Sequence, residues 1–144
     1  MFANLALGTL LISTTVLLHT FGLVVLSRLM TRVVHWFRLH QHDFGKSVAM
    51  VTTVLGLFLI HTLEIWIWAG AFFATNAVFG FQDALYFSIV TFSTVGSGDV
   101  IVGHQWRLLA SLEAINGFLL IGWSTAYLVS ASTRHGPFRV GEHF

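Results

Sequence analysis

Residues 84–99 read Ala84-Leu85-Tyr86-Phe87-Ser88-Ile89-Val90-Thr91-Phe92-Ser93-Thr94-Val95-Gly96-Ser97-Gly98-Asp99. The first part, Ala84 to Ser93, is uncharged and apolar, and as a helix it would be about 15 Å long at 1.5 Å per residue. A hydrocarbon core is about 30 Å thick, so such a helix cannot cross it. The second part, Thr94 to Asp99, places glycine at alternate positions, 96 and 98, where positive φ meets no side-chain clash. A helix too short to span, followed by a glycine-rich strand, predicts a segment that enters and leaves a membrane on one side. Ahead of it, Asn76-Ala77-Val78-Phe79-Gly80 reads as a turn, and Asp83 can cap or charge the helix start. The competing interpretation is an ordinary glycine-rich turn between two membrane helices.

The flanks support the re-entrant segment. Of 144 residues 56% are hydrophobic and only 9% charged, with a mean hydropathy of +0.80. A soluble domain carries about 25% charged residues. A first apolar span runs from Phe2 to Met30, extending toward Arg38. A second covers 47–75 and is interrupted by Glu64, and a third covers 106–132 and is interrupted by Glu113. No Lys or Arg precedes the first span, whose uncharged run exceeds a signal h-region of roughly 7–15 residues, so we expect a retained helix. The expected fold is all-α, with three transmembrane helices and the short helix 82–93 between the second and third. It divides into 1–46 (first helix and loop), 47–132 (the re-entrant unit and its two flanking helices) and a short tail, 133–144.

Charge placement sets the expected topology. Arg28, Arg32, Arg38 and Lys46 flank or occupy the first loop, Arg134 and Arg139 follow the last span, and only Arg107 lies near 94–99. By the positive-inside rule, the first loop and C-terminus are cytoplasmic, and the N-terminus and the 94–99 hairpin face outside. The arginines of the first span sit at its cytoplasmic end as anchors, which argues against a voltage sensor. A net charge of +1 without a basic run suggests no nucleic-acid partner. The absence of cysteine excludes disulfides, thiolate metal sites and thiol catalysis.

The hexapeptide Thr94-Val95-Gly96-Ser97-Gly98-Asp99 is one residue from the selectivity-filter signature of potassium channels, and 84–99 resembles the pore-loop region of two-helix members of that family. Trp106-Arg107, with Gly117 ten residues later, resembles the start and glycine hinge of the family's inner helix. The resemblance covers about 48–132 and implies a homotetramer in membrane lipid. On it, the outer helix is 47–75, the pore helix 82–93, the filter 94–99 and the inner helix 106–132. Thr94, Val95, Gly96, Ser97 and Gly98 would offer oxygens to the ion, the mechanism described generally for potassium filters. Asp99 would sit behind the outer mouth with Tyr86 as its aromatic partner, and Val90 stands where some relatives carry Glu.

Ser97 departs from the family's tyrosine, which wedges into a cuff of aromatics and holds the filter's width. Tyr86, Phe87 and Phe92 remain nearby in sequence, but serine cannot reach as far. The resemblance therefore implies a passive cation channel and no enzyme. Its permeant ion is first potassium, with a non-selective Na⁺/K⁺ or a Ca²⁺-permeable pore as the alternative. No other cofactor is expected, and no metal beyond permeant cations.

Ionisable groups within spans are expensive and are functional candidates by default. His61 and Glu64, at i and i+3, share a helix face, as do Glu113 and Asn116. These four could brace the pore helix, sense pH or bind a metal. A helical metal-binding bundle or enzyme would use His61, Glu64 and Glu113, a ligand set too small for known carboxylate bundles. His35, His40 and His42 cluster in the first loop, where interfacial histidines need no special role. Trp36, Trp66, Trp68, Trp106 and Trp123 fit interface belts or packing. On the inner helix, Phe118, Ile121, Thr125 and Val129 recur at helical steps and could line a cavity. Gly117 and Gly122 allow a bend or close packing.

Overall fold

The computed structural model describes residues 2–36 and 43–135. His40, His42, Arg38 and Arg139 lie outside these residues, and so do the side chains of His35, Trp36 and Arg134. The chain forms α1 (Phe2–Trp36), α2 (Asp43–Ala74), α3 (Phe81–Phe92), a 3₁₀ turn (His104–Trp106) and α4 (Arg107–His135). Among the described residues there is no strand. Stretches of α1, α2 and α4, namely Phe2–Arg32, Gly45–Ala74 and His104–Thr133 with the 3₁₀ turn, are long and apolar enough to cross a membrane.

The packing is inverted relative to a water-soluble bundle. Thr15, His19, Glu64, Ser88 and Glu113 are fully buried, whereas Phe21, Phe58 and Phe118 are each more than 60% exposed. On α1 the buried stripe is Asn4, Leu11, Thr15, His19, Leu23, Leu26 and Met30, in steps of three, four or seven that define one helical face. Leu10, Leu17, Phe21 and Val25 point outward from the same helix. Polar groups gathered inside and large apolar groups outside are what a lipid solvent selects, because an ionisable group facing hydrocarbon is costly. With three helices long and apolar enough to cross a membrane, the chain is a multi-pass membrane protein.

Lipid tails are as apolar as leucine, so the helices are held by close packing and interhelical hydrogen bonds. Trp68 stacks on Phe72, and Phe72 meets Phe87 of α3 edge to face at 5.1 Å between ring centroids. Such an aromatic pair contributes about 0.5–1.5 kcal/mol beyond its buried area. These contacts seat α3 against α2, and Phe87 and Phe92 share a buried cluster with Leu109 and Leu120 of α4.

One end of the bundle is tied together. Asn4 Nδ2 donates to the Gln105 carbonyl at 2.5 Å, and Gly103 N–H reaches the Ala77 carbonyl at 3.5 Å. From that end α3 descends: Phe81 packs on Phe73 and Trp66, and Phe92 reaches His61 at 5.9 Å. The chain then returns through 94–103 to the same end. Gly80 precedes α3 with φ +85 and no side chain caps the helix, so Asp83 in the first turn charges the helix start and does not cap it.

Candidate functional site

The returning segment has an unusual backbone. Thr94, Gly96 and Gly98 have φ of +62, +58 and +77, while Val95 and Ser97 between them keep negative φ. A chain that alternates in this way can turn successive carbonyls to one side. Glycine adopts positive φ freely, but a β-branched threonine there is a genuine outlier. Such strain costs about 1–3 kcal/mol and clusters at functional sites.

Two contacts hold the loop. Gly96 N–H donates to the Val90 carbonyl at 3.0 Å, which ties the loop's middle to the last turn of α3. Tyr86 Oη donates to Asp99 Oδ2 at 2.8 Å, which ties its outer end to the middle of the same helix. That hydrogen bond holds the exposed Asp99 carboxyl below its ordinary range. The C-terminal end of α3 carries its partial negative charge toward the start of the loop.

Ser97 is exposed, and the aromatics near it in sequence are engaged elsewhere. Phe87 packs on Phe72, Phe92 lies against His61, and Tyr86 holds Asp99. Behind Gly96 and Gly98 a cleft of about 260 Å³ remains, bordered by Phe87, Val90, Thr91, Val102 and Ala110.

The ionisable candidates separate into three groups. Glu113 meets Ser88 of α3 through Oε1, and Ser88 also lies 3.0 Å from the Ile65 carbonyl. A hydroxyl carries one hydrogen, so both contacts together need a second proton, on Glu113. Asn116 turns away from Glu113 and donates to Thr15 Oγ1 of α1 at 2.9 Å. His61 and Glu64 do meet, Nδ1 to Oε2 at 2.8 Å. Glu64 Oε1 lies 2.8 Å from His19 Nδ1, and His61 Nε2 lies 2.9 Å from Ser124 Oγ. The set His61, Glu64 and Glu113 therefore does not converge, because Glu113 faces α3 while the other two face α1 and α4.

His19, Thr15, Ser88 and Ser124 were missed from sequence. The available signal was an ionisable His19 in the middle of an apolar span, one turn from Thr15 on the same face.

On α4, Phe118, Ile121, Thr125 and Val129 are all exposed on the single chain, and Thr125 Oγ1 donates to the Ile121 carbonyl. Gly117 is buried in an unbroken helix, where a Cβ would meet the Phe92 carbonyl oxygen. Gly122 has open space around it. Trp68 is core, while Trp66 and Trp123 are about half exposed.

Two known proteins are similar to the chain in sequence. Potassium channel, subfamily K, member 16 of Mus musculus is 36% identical over 102 residues, or 65% of this chain and 35% of that protein. Inward rectifier potassium channel Kirbac3.1 of Paramagnetospirillum magnetotacticum is 29% identical over 108 residues, or 69% of this chain and 36% of its own length. The chain thus spans about a third of the length of these curated relatives. No solved structure gives a significant match. The family described as "Ion channel" matches residues 59–134, more than half of the chain and the whole of the re-entrant unit from mid-α2 to the end of α4, and the chain belongs to that family.

Proposed function

We propose that four copies of the chain surround one axis and pass cations, potassium first, through rings of backbone oxygens from residues 94–98. The observation that carries this function is the alternation of positive φ at Thr94, Gly96 and Gly98, directly after a helix too short to cross. One such loop cannot enclose an ion, so assembly is required. In the assembly, Thr94, Val95, Gly96, Ser97 and Gly98 replace the hydration shell, and ions move by displacement between adjacent sites. Asp99 and Tyr86 brace the outer mouth. Phe118, Ile121, Thr125 and Val129 face the cavity below, and Gly117 sets how closely α4 approaches α3.

The N-terminus and the 94–103 loop face outside, as the basic first loop argues. Potassium is placed first because both curated relatives carry that name. A non-selective Na⁺/K⁺ or Ca²⁺-permeable pore is the second interpretation, and Ser97 favours it, since no side chain there wedges the loop against α3. Neither interpretation requires a cofactor or catalysis.

The test is the reversal potential of the purified protein in planar bilayers under K⁺, Na⁺ and Ca²⁺ gradients, for wild type and Ser97→Tyr. Potassium selectivity in the wild type, sharpened in Ser97→Tyr, supports the first interpretation. Poor discrimination in the wild type, narrowed by Ser97→Tyr, supports the second. If selectivity and conductance are unchanged by the substitution, our account of position 97 fails.

A further inference from the structure

We infer that His19, His61 and Glu64 form a binding site for one divalent transition-metal ion of the zinc type, joining α1 to α2, with Ser124 of α4 orienting one ligand. The site lies outside the 94–98 loop and does not depend on how that loop conducts.

His19 Nδ1 and His61 Nδ1 each stand 2.8 Å from a different oxygen of Glu64. One ligand atom from each residue lies within 4.8 Å of the others. A zinc ion with bonds of about 2.0–2.2 Å holds its ligands roughly 3.4 Å apart, so small side-chain rotations close the set. Two imidazoles and a carboxylate are a donor set that zinc takes with its fourth position left open.

One further observation favours a cation, and two concern the ring nitrogens that would not ligate. Glu64 is fully buried in the middle of a membrane span, and among the described residues its ion-pair partners are these two imidazoles, with no Lys or Arg. A carboxylate in that position needs a positive charge beside it. His61 Nε2 lies 2.9 Å from Ser124 Oγ, so when Nδ1 ligates a metal the ring proton sits on Nε2 and donates to that hydroxyl. His19 Nε2 is buried without a partner, and it would carry that ring's proton when Nδ1 ligates.

The ion would reach the site from the side of His61. His61 and Ser124 open into a cleft of about 160 Å³ bordered also by Phe58, Thr125 and Leu128.

The test uses the full chain in detergent, stripped with a chelator, dialysed against Zn²⁺ and assayed by elemental analysis. The expected result is one Zn²⁺ per wild-type chain and none in His19→Gln or Glu64→Gln, with helicity by circular dichroism showing that the variants fold. Ser124→Ala retains the site with affinity lowered about 10–100-fold. The chain has no cysteine, so His19→Cys adds a single thiolate ligand, and loading this variant with Co²⁺ should give a sulfur-to-cobalt charge-transfer band. Wild type and His19→Gln binding Zn²⁺ alike would place the metal on other histidines and overturn the site. Absence of stoichiometric Zn²⁺ in the wild type would leave the cluster to share protons alone, and absence of the cobalt band would remove position 19 from the ligand set.

Discussion

The carbonyl oxygen of Phe92, the last residue of α3, lies so close to Gly117 of α4 that a Cβ at 117 would clash with it. The short helix therefore rests its end on the long one, and the loop that begins at Thr94 inherits its height from that contact.

Gly117→Ala forces α3 and α4 apart. Overpacking of this kind costs about 1–3 kcal/mol, and the shift acts directly on the loop. We expect a lower thermal midpoint and reduced cation flux in liposomes. A variant that melts and conducts like the wild type contradicts the contact.

Acid tests the Tyr86–Asp99 hydrogen bond. Asp99 has its pKa lowered from the ordinary 3.8, chiefly by the Tyr86 hydroxyl. A depressed carboxyl contributes stability above its ordinary pKa and loses it as pH falls through the lowered, folded value. Wild-type flux should therefore survive acid on the loop's side of the membrane to below that ordinary value, and Tyr86→Phe should fail at a higher pH. Coincident acid limbs for the two proteins would show that this hydrogen bond does not hold the loop.

Ser88→Ala leaves the buried Glu113 without its Oε1 partner, and Oε2 already lacks one. An unsatisfied buried polar group costs about 1–3 kcal/mol, whereas removing both partners can be nearly neutral. Ser88→Ala should lower the unfolding midpoint, and adding Glu113→Leu should recover part of the loss. Simple additivity in this double-mutant cycle would mean that the two side chains do not interact.

Thr94→Gly separates strain from function. Glycine relieves the positive φ at 94, a strain of about 1–3 kcal/mol, and removes the hydroxyl. Thermal stability should be unchanged or higher while flux falls. Lower stability would mean that the threonine side chain supports the loop more than its backbone strains it.

Much of this arrangement is legible in residues 84–99. The length of 84–93 rules out a crossing helix, and Gly96 and Gly98 mark the alternation that the backbone adopts. The Tyr86–Asp99 pair follows from the family resemblance. The extra positive φ at Thr94 is not legible, because a β-branched residue disfavours it and only the surrounding fold enforces it. The polar core is half legible. His61 and Glu64 sit one turn apart, and helical spacing brings them together. Glu113 and Asn116 share that spacing but point to α3 and α1 respectively, since partner choice depends on tertiary packing. His19 stands out in an apolar run one turn from Thr15, but its partner Glu64 becomes visible only once α1 is docked. Gly117 illustrates the same limit: spacing allows a hinge or a close approach, and the close approach to α3 is visible only from the neighbouring Phe92 carbonyl.

The central claim is that cations pass along the backbone of residues 94–98. The most direct measurement is K⁺ flux into liposomes for wild type and Gly96→Asp, with oligomeric state checked by native mass spectrometry. Position 96 has φ +58, which an L side chain rarely adopts, and it lies at the centre of the loop. We predict tetramers for both proteins, K⁺ uptake by the wild type and none by Gly96→Asp. Equal uptake by the two proteins, or no cation uptake by a tetrameric wild type across a range of pH, would contradict the account.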